Sequence, residues 1–127
     1  RMARKVLPTE VPMKDAIFNI GRASMLVAAL TRGNERYLRL GLDDALHQPY
    51  RAELIPGMYD VFKAARRAGA AGATLSGAGP CLIAYVLERR HAEEAVGKAM
   101  LEAFRKHDVE ARILTLDLDT HGAQILK

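Results

Sequence analysis

The sequence predicts an α+β fold: a four-stranded, mostly antiparallel, ferredoxin-like sheet covered by helices on one face, with extra helices in the first crossover. Three observations lead there. Apolar residues recur at helical spacing in four separate stretches. Two short apolar runs flank a glycine turn and read as a hairpin. Candidate strands stand before, between and after the helices in the order of a split β-α-β unit. The chain of 127 residues is half hydrophobic, which suits one domain, residues 1–127, with a substantial core.

Arg1–Pro8 is a short basic stretch ending in Val6-Leu7, and it is read as the first strand. Pro12 and Asp15 then suit a helix start, with proline near the first turn and a carboxylate at the positive end of the helix dipole. That helix is expected to run to about Arg32. Its stripe of Ala16, Ile20, Ala23, Val27 and Leu30 is expected to be buried on most sides. Gly33-Asn34 reads as a stop followed by a new cap. A second helix, about Glu35–Leu46, carries Leu38, Leu42 and Ala45 on one face, and His47-Gln48-Pro49-Tyr50-Arg51 breaks it. A third begins near Pro56, turns Met58, Phe62 and Ala65 inward, and ends at Gly69.

The stretch Gly69–Val86 follows, and it holds four of the ten glycines. Ala73–Leu75 and Cys81–Val86 read as strands around Ser76-Gly77-Ala78-Gly79-Pro80. Two readings of that connection stand side by side. One is a glycine-containing hairpin turn; the other is a backbone platform lying against a phosphate loop or a phosphate. It matches neither the dinucleotide fingerprint nor the Walker A pattern, because a strand follows it instead of a helix. After Glu88-Arg89-Arg90 a fourth helix, about Ala92–Lys106, has an apolar stripe of Ala92, Val96, Ala99 and Ala103. Its solvated face carries the i,i+4 pairs Glu94–Lys98 and Glu102–Lys106. Val109–Leu118 alternates and then turns apolar, as a last long strand would, and Gln124–Leu126 could add an edge strand.

Composition narrows the function. Cys81 is the single cysteine, so an internal disulfide and a multi-cysteine zinc site are excluded; beside Leu82 it reads as a small core hydrophobe in a protein of the reducing cytoplasm. No run is long and apolar enough for a membrane span. The net charge of +4 with only 6% aromatic residues argues against nucleic acid and is compatible with a small anionic substrate. Asp117, Asp119 and His121 are read as solvating an edge strand, not as metal ligands. His47 is read as a structural hydrogen-bonding group ending its helix. No catalytic base stands out.

Four segments carry a family resemblance: Val6-Leu7-Pro8, Val11 through Asn19, Leu46 through Arg51, and Thr74 through Pro80. Together they resemble the C-terminal half of the homoserine kinases, a family of the GHMP small-molecule kinases. The resemblance implies that the complete enzyme moves the γ-phosphoryl of ATP, with Mg2+, onto the hydroxyl of L-homoserine in threonine biosynthesis. It also implies that ATP and Mg2+ are held mainly by an N-terminal half whose phosphate loop does not occur in these 127 residues. By the same resemblance Arg4 and Arg51 bind the substrate carboxylate, and Ser76, Gly77, Ala78 and Gly79 lie close to the phosphate loop. The isolated chain is expected to be inactive, and a homodimer is compatible with the pattern. Another GHMP kinase, or a free-standing ferredoxin-like module that binds amino acids or dimerises, remains an alternative.

Overall fold

Helical period decides most of the architecture. The computed structural model describes residues 2–119, 121, 122 and 125. In chain order the elements are α1 (Met2–Lys5), α2 (Met13–Arg32), α3 (Glu35–Gly41), α4 (Gln48–Arg51), α5 (Met58–Arg67), β1 (Gly72–Leu75), β2 (Leu82–Tyr85) and α6 (Glu93–Arg105). Short 3-10 turns at Ala52–Leu54 and Glu88–Arg90 complete the connections.

The caps fall where residue chemistry puts them. Gly33 closes α2 in the left-handed region at φ 62°, and the Asn34 side chain opens α3 by accepting the Tyr37 N–H. An L residue would be strained at Gly33, and the Asn34 amide oxygen satisfies one orphan donor of the next helix. α2 and α3 then lie back to back. Gly41 makes that possible, because a Cβ there would stand 2.7 Å from the backbone nitrogen of Leu26.

The main core lies among α5, α6 and the hairpin. Met58, Val61, Phe62 and Ala65 of α5 face Val96, Met100, Ala103 and Phe104 of α6, with Ala73 and Leu75 of β1 closing the side. α5 and α6 therefore bury one stripe each and leave charged residues outside, as amphipathic helices do. Glu94 and Lys98 pair at 2.7 Å on the outer face of α6. A smaller cluster joins Ala29, Leu38, Leu42 and Ala71 under Leu26 and Tyr85.

β1 and β2 pair antiparallel, with Gly72 opposite Tyr85 and Leu75 opposite Leu82. The α+β reading therefore stands, while the described residues form a sheet of two strands instead of four. Each difference has a physical reason. Residues 2–5 are helical: Met, Ala, Arg and Lys are good helix formers without β alternation. Residues 109–118 are irregular and mostly exposed; a strand exists only by pairing, and no described backbone hydrogen bond reaches 110–118. Gln124–Leu126 lies largely outside the described residues. The second helix stops at Gly41, five residues short of Leu46.

The largest correction concerns α2. Of its expected inward stripe Ile20, Val27 and Leu30 are exposed, and Ala29 is the helix's single buried residue. The helix turns Asn19, Leu26 and Ala29 toward the body instead. Cys81 is also exposed, because it sits at the mouth of the turn before the ladder begins. Among the described residues no helix is long and apolar enough to cross a membrane.

Candidate substrate cleft

The break between α3 and α5 is held by one carboxylate. Asp44 accepts from the Asn19 side chain at 2.6 Å through Oδ1, and from the backbone N–H groups of His47 (2.8 Å) and Gln48 (2.5 Å) through Oδ2. Asn19 completes the link from α2 by accepting the Ala45 N–H at 2.8 Å. Burial alone pushes the Asp44 carboxyl up; the donors from Asn19, Gln48 and His47, with the nearby His47 ring, outweigh that and hold it below the ordinary value. Asp44 is thus ionised at neutral pH and caps α4 from four residues upstream of Gln48.

Gln48 carries the next link. It is the one buried polar residue among the described residues, and its side chain is used at both ends. Nε2 donates to the Leu42 carbonyl at 3.1 Å and Oε1 accepts the Leu75 N–H at 3.2 Å. The break is thereby tied to the last residue of β1, immediately before the glycine turn. Buried polar atoms paired on both sides fix a geometry, because any shift leaves one of them unpaired.

Arg51, one turn along, reaches out from this frame. Its Nε donates to the Ala3 carbonyl at 3.3 Å and its Nη1 donates to the Gly77 carbonyl at 2.8 Å. Nη1 also lies 3.4 Å from His47 Nδ1, while His47 Nε2 stands 3.4 Å from Asp44 Oδ1. An Nε2–H tautomer satisfies both contacts, donating to Asp44 and leaving Nδ1 to accept. His47 thus opens α4 and supports Arg51, where the sequence reading had it end the preceding helix.

The Ser76–Pro80 turn is built on its backbone. Ser76 N–H donates to Cys81 O and Gly79 N–H to Ser76 O, at 2.9 and 3.0 Å. Gly77 and Gly79 both have positive φ, 54° and 78°. A Cβ at Gly77 would meet nothing within 4 Å, whereas one at Gly79 would press to 2.9 Å against Ile55 and Leu75. The two glycines serve different ends: Gly77 is open to solvent, and Gly79 is packed.

These parts line an open cleft of about 580 Å³. Arg4 and Arg51, 47 positions apart in sequence, both line it, beside Gly77 and Ala78; Ser76 and Gly79 are not among its walls. Arg22 lines it too, with its guanidinium 4.4 Å from the centre of the Phe18 ring. Asp43 and Asp44 supply the acidic side. Three guanidiniums at one opening suit an anion such as a carboxylate or phosphate. Sequence reasoning missed Arg22, Asn19, Asp44 and Gln48. Only Asn19 and Arg22 carried a signal, as polar residues three apart on a helix otherwise rich in apolar side chains.

Among the described residues no three His, Cys, Asp or Glu side chains are grouped as a metal site. Asp119 instead accepts the His121 N–H at 2.8 Å in an exposed local turn.

Comparison with known proteins bears on this cleft. The family model described as GHMP kinases C terminal matches residues 25–106. The homoserine kinase of Carboxydothermus hydrogenoformans is 44% identical over 121 residues, covering 95% of this chain and 38% of that protein. That of Moorella thermoacetica is 44% identical over 126 residues, covering 99% and 42%, and that of Trichormus variabilis 49% identical over 121, covering 95% and 39%. The crystal structure of homoserine kinase from Cytophaga hutchinsonii superposes with a TM-score of 0.75 at 34% identity, covering 83% of this chain and 33% of that one. The chain spans about two-fifths of the length of the curated relatives it matches.

Proposed function

The chain belongs to the GHMP kinase family, matching its C-terminal domain, and from that premise we propose that it is the substrate-binding part of a homoserine kinase. The complete protein would transfer the γ-phosphoryl group of ATP to the side-chain hydroxyl of L-homoserine. The meeting of Arg4 and Arg51 at one cleft beside Gly77 carries this reading. Every relative named above is a homoserine kinase, which favours that substrate over those of other GHMP kinases.

In this reading each residue has a limited task. Arg4 and Arg51 take the substrate carboxylate. Arg51 spends Nε and Nη1 on Ala3 and Gly77, which fixes the plane of its guanidinium and leaves Nη2 to face a ligand. Asp44, Gln48 and His47 orient Arg51 and touch no reacting atom. Gly77 and Ala78 offer a turn with little side-chain bulk, over which a phosphate-binding loop from the rest of the protein can lie; Ser76 and Gly79 hold its shape. Phosphoryl transfer asks chiefly for positioning and charge stabilisation, so these tasks suffice for this half. ATP and Mg2+ would be held mainly by the region outside this chain. There, too, the hairpin would grow to the four-stranded sheet. The cytoplasm is the setting we propose.

The test is a kinetic split in a complete enzyme carrying this domain. Arg51→Lys should raise KM for homoserine at least tenfold and leave KM for ATP nearly unchanged, since a single ammonium keeps the charge but cannot hold the Ala3 and Gly77 carbonyls and also present a donor to the ligand. A rise confined to ATP would move Arg51 to the phosphates and defeat the reading.

A further inference from the structure

The positive charge of the chain is not spread evenly. Three segments far apart in sequence, 35–39, 66–69 and 88–91, together hold six arginines and two glutamates. That leaves them a net +4, as much as the formal charge of the whole chain, so all other segments balance. No lysine occurs in the three, and every full cation there is a guanidinium.

The fold gathers these segments. Glu35, at the start of α3, accepts from Arg89 Nη2 through Oε2 at 2.9 Å and from Arg90 Nη2 through Oε1. Arg90 also donates through Nη1 to the Gly69 carbonyl at 3.5 Å, just past the last turn of α5 with its Arg66 and Arg67. One turn along α3, the Cα of Arg39 lies 3.7 Å from the point where a Cβ on Gly72 would stand, which ties α3 to the start of β1. None of the six arginines lines the substrate cleft. Arg36, Arg39, Arg66 and Arg67 take part in no ion pair among the described residues, and all but Arg66 are exposed.

Four uncompensated guanidiniums beside two more create a strong local positive potential, which draws an anionic partner and steers its approach. Glu35 shows which anion the surface fits. Its carboxylate gives one oxygen to each of two arginines, the planar match that guanidinium groups make better than ammonium groups do. A single exposed ion pair is worth little, so one carboxylate is not enough and several must act together. A nucleic-acid strand would also need stacking platforms, and Tyr37 is the one aromatic residue of the three segments. We propose that this arginine surface docks an acidic segment of a partner protein, a run of Asp and Glu side chains. The interaction stands apart from the substrate assignment, because its residues and the cleft residues are separate sets.

The experiment titrates a labelled peptide of about ten glutamates into a complete enzyme carrying this domain, by fluorescence anisotropy at about 0.15 M salt, where screening already removes long-range attraction. The peptide should bind. Arg36→Gln with Arg39→Gln should weaken it about tenfold or more and leave homoserine phosphorylation unchanged, whereas Lys98→Gln with Lys106→Gln, which removes the same charge from α6, should weaken it less than about twofold. Equal weakening by the two pairs would reduce the effect to net charge and overturn the proposal. Tighter binding of poly(U) RNA or inorganic tripolyphosphate than of the peptide overturns it as well, since the anion would then be a phosphate. So does a complete enzyme that does not bind the peptide at all. Should the α3 pair impair phosphorylation, Arg66→Gln with Arg67→Gln repeats the comparison from α5, and undiminished binding there is equally fatal.

Discussion

α5 and α2 are both amphipathic helices with apolar stripes, and they meet opposite fates. On α5 the stripe of Met58, Val61, Phe62 and Ala65 is buried against α6 and β1. On α2 the expected stripe of Ile20, Val27 and Leu30 stands in solvent, and the helix is held through Asn19, Leu26 and Ala29 instead. Sequence period reports that a face wants burial; it does not report whether the partner lies in the same stretch of chain. The α5 side is a finished core, and the outer face of α2 is left exposed.

The sharpest way to break this contrast is to truncate one residue on each helix. Phe62→Ala should cost about 3–5 kcal/mol, as large-to-small core changes do. Ile20→Ala should stay within about 0.5 kcal/mol in the chain alone. Urea unfolding measures both, and similar losses would mean that α2 is packed after all.

A second prediction moves to the cleft, between the two regions. Gln48→Leu removes both ends of the bridge and strands the Leu42 carbonyl and the Leu75 N–H, at a cost of about 1–3 kcal/mol. The same unfolding measurement checks it, and an unchanged midpoint would show that the bridge is not needed.

Next comes pH. The folded Asp44 carboxyl lies below its ordinary value, so the unfolded chain takes up its proton first as the solution is acidified. Its contribution is full above the unfolded pKa of about 3.9 and is lost as pH falls through the folded value. Asp44→Asn should therefore be less stable at pH 7 and lose less stability on acidification than the parent. Parallel pH profiles for the two proteins would count against the network.

Smaller effects are expected at the turn. Gly79→Val should cost most, because it combines a positive φ with contacts at 2.9 Å to Ile55 and Leu75. Gly77→Val should cost less, from its backbone alone, and Ala78→Ser least. Thermal melts that rank Gly77 above Gly79 would reverse the assignment of the packed and the open glycine.

How much of this was legible in sequence follows the same division. α5, α6, the Gly33-Asn34 boundary and the hairpin rest on local period, caps and turn chemistry, and all were readable. Residues 109–118 alternate as a strand should, but pairing is a property of two segments, and the second is not among the described ones. At Met2–Lys5 four residues held too little pattern to choose between helix and strand. Arg4 and Arg51 came from motif likeness, and their meeting needed the fold. Asp44 and Gln48 gave no signal because their value lies in partners 25 and 27 positions away. Cys81 was misjudged by composition, since a small apolar-leaning residue beside a strand can still sit outside the ladder.

The central claim is that the cleft grips a carboxylate, and ligand chemistry tests it more directly than any stability measurement. In a complete enzyme carrying this domain, calorimetric titration should compare L-homoserine with its carboxamide, which keeps size and hydroxyl but not the charge. The parent should prefer the acid by at least tenfold, and Arg51→Lys should erase most of that preference by weakening the acid alone. Equal binding of acid and amide by the parent, or an Arg51→Lys variant that weakens both alike, would contradict the account.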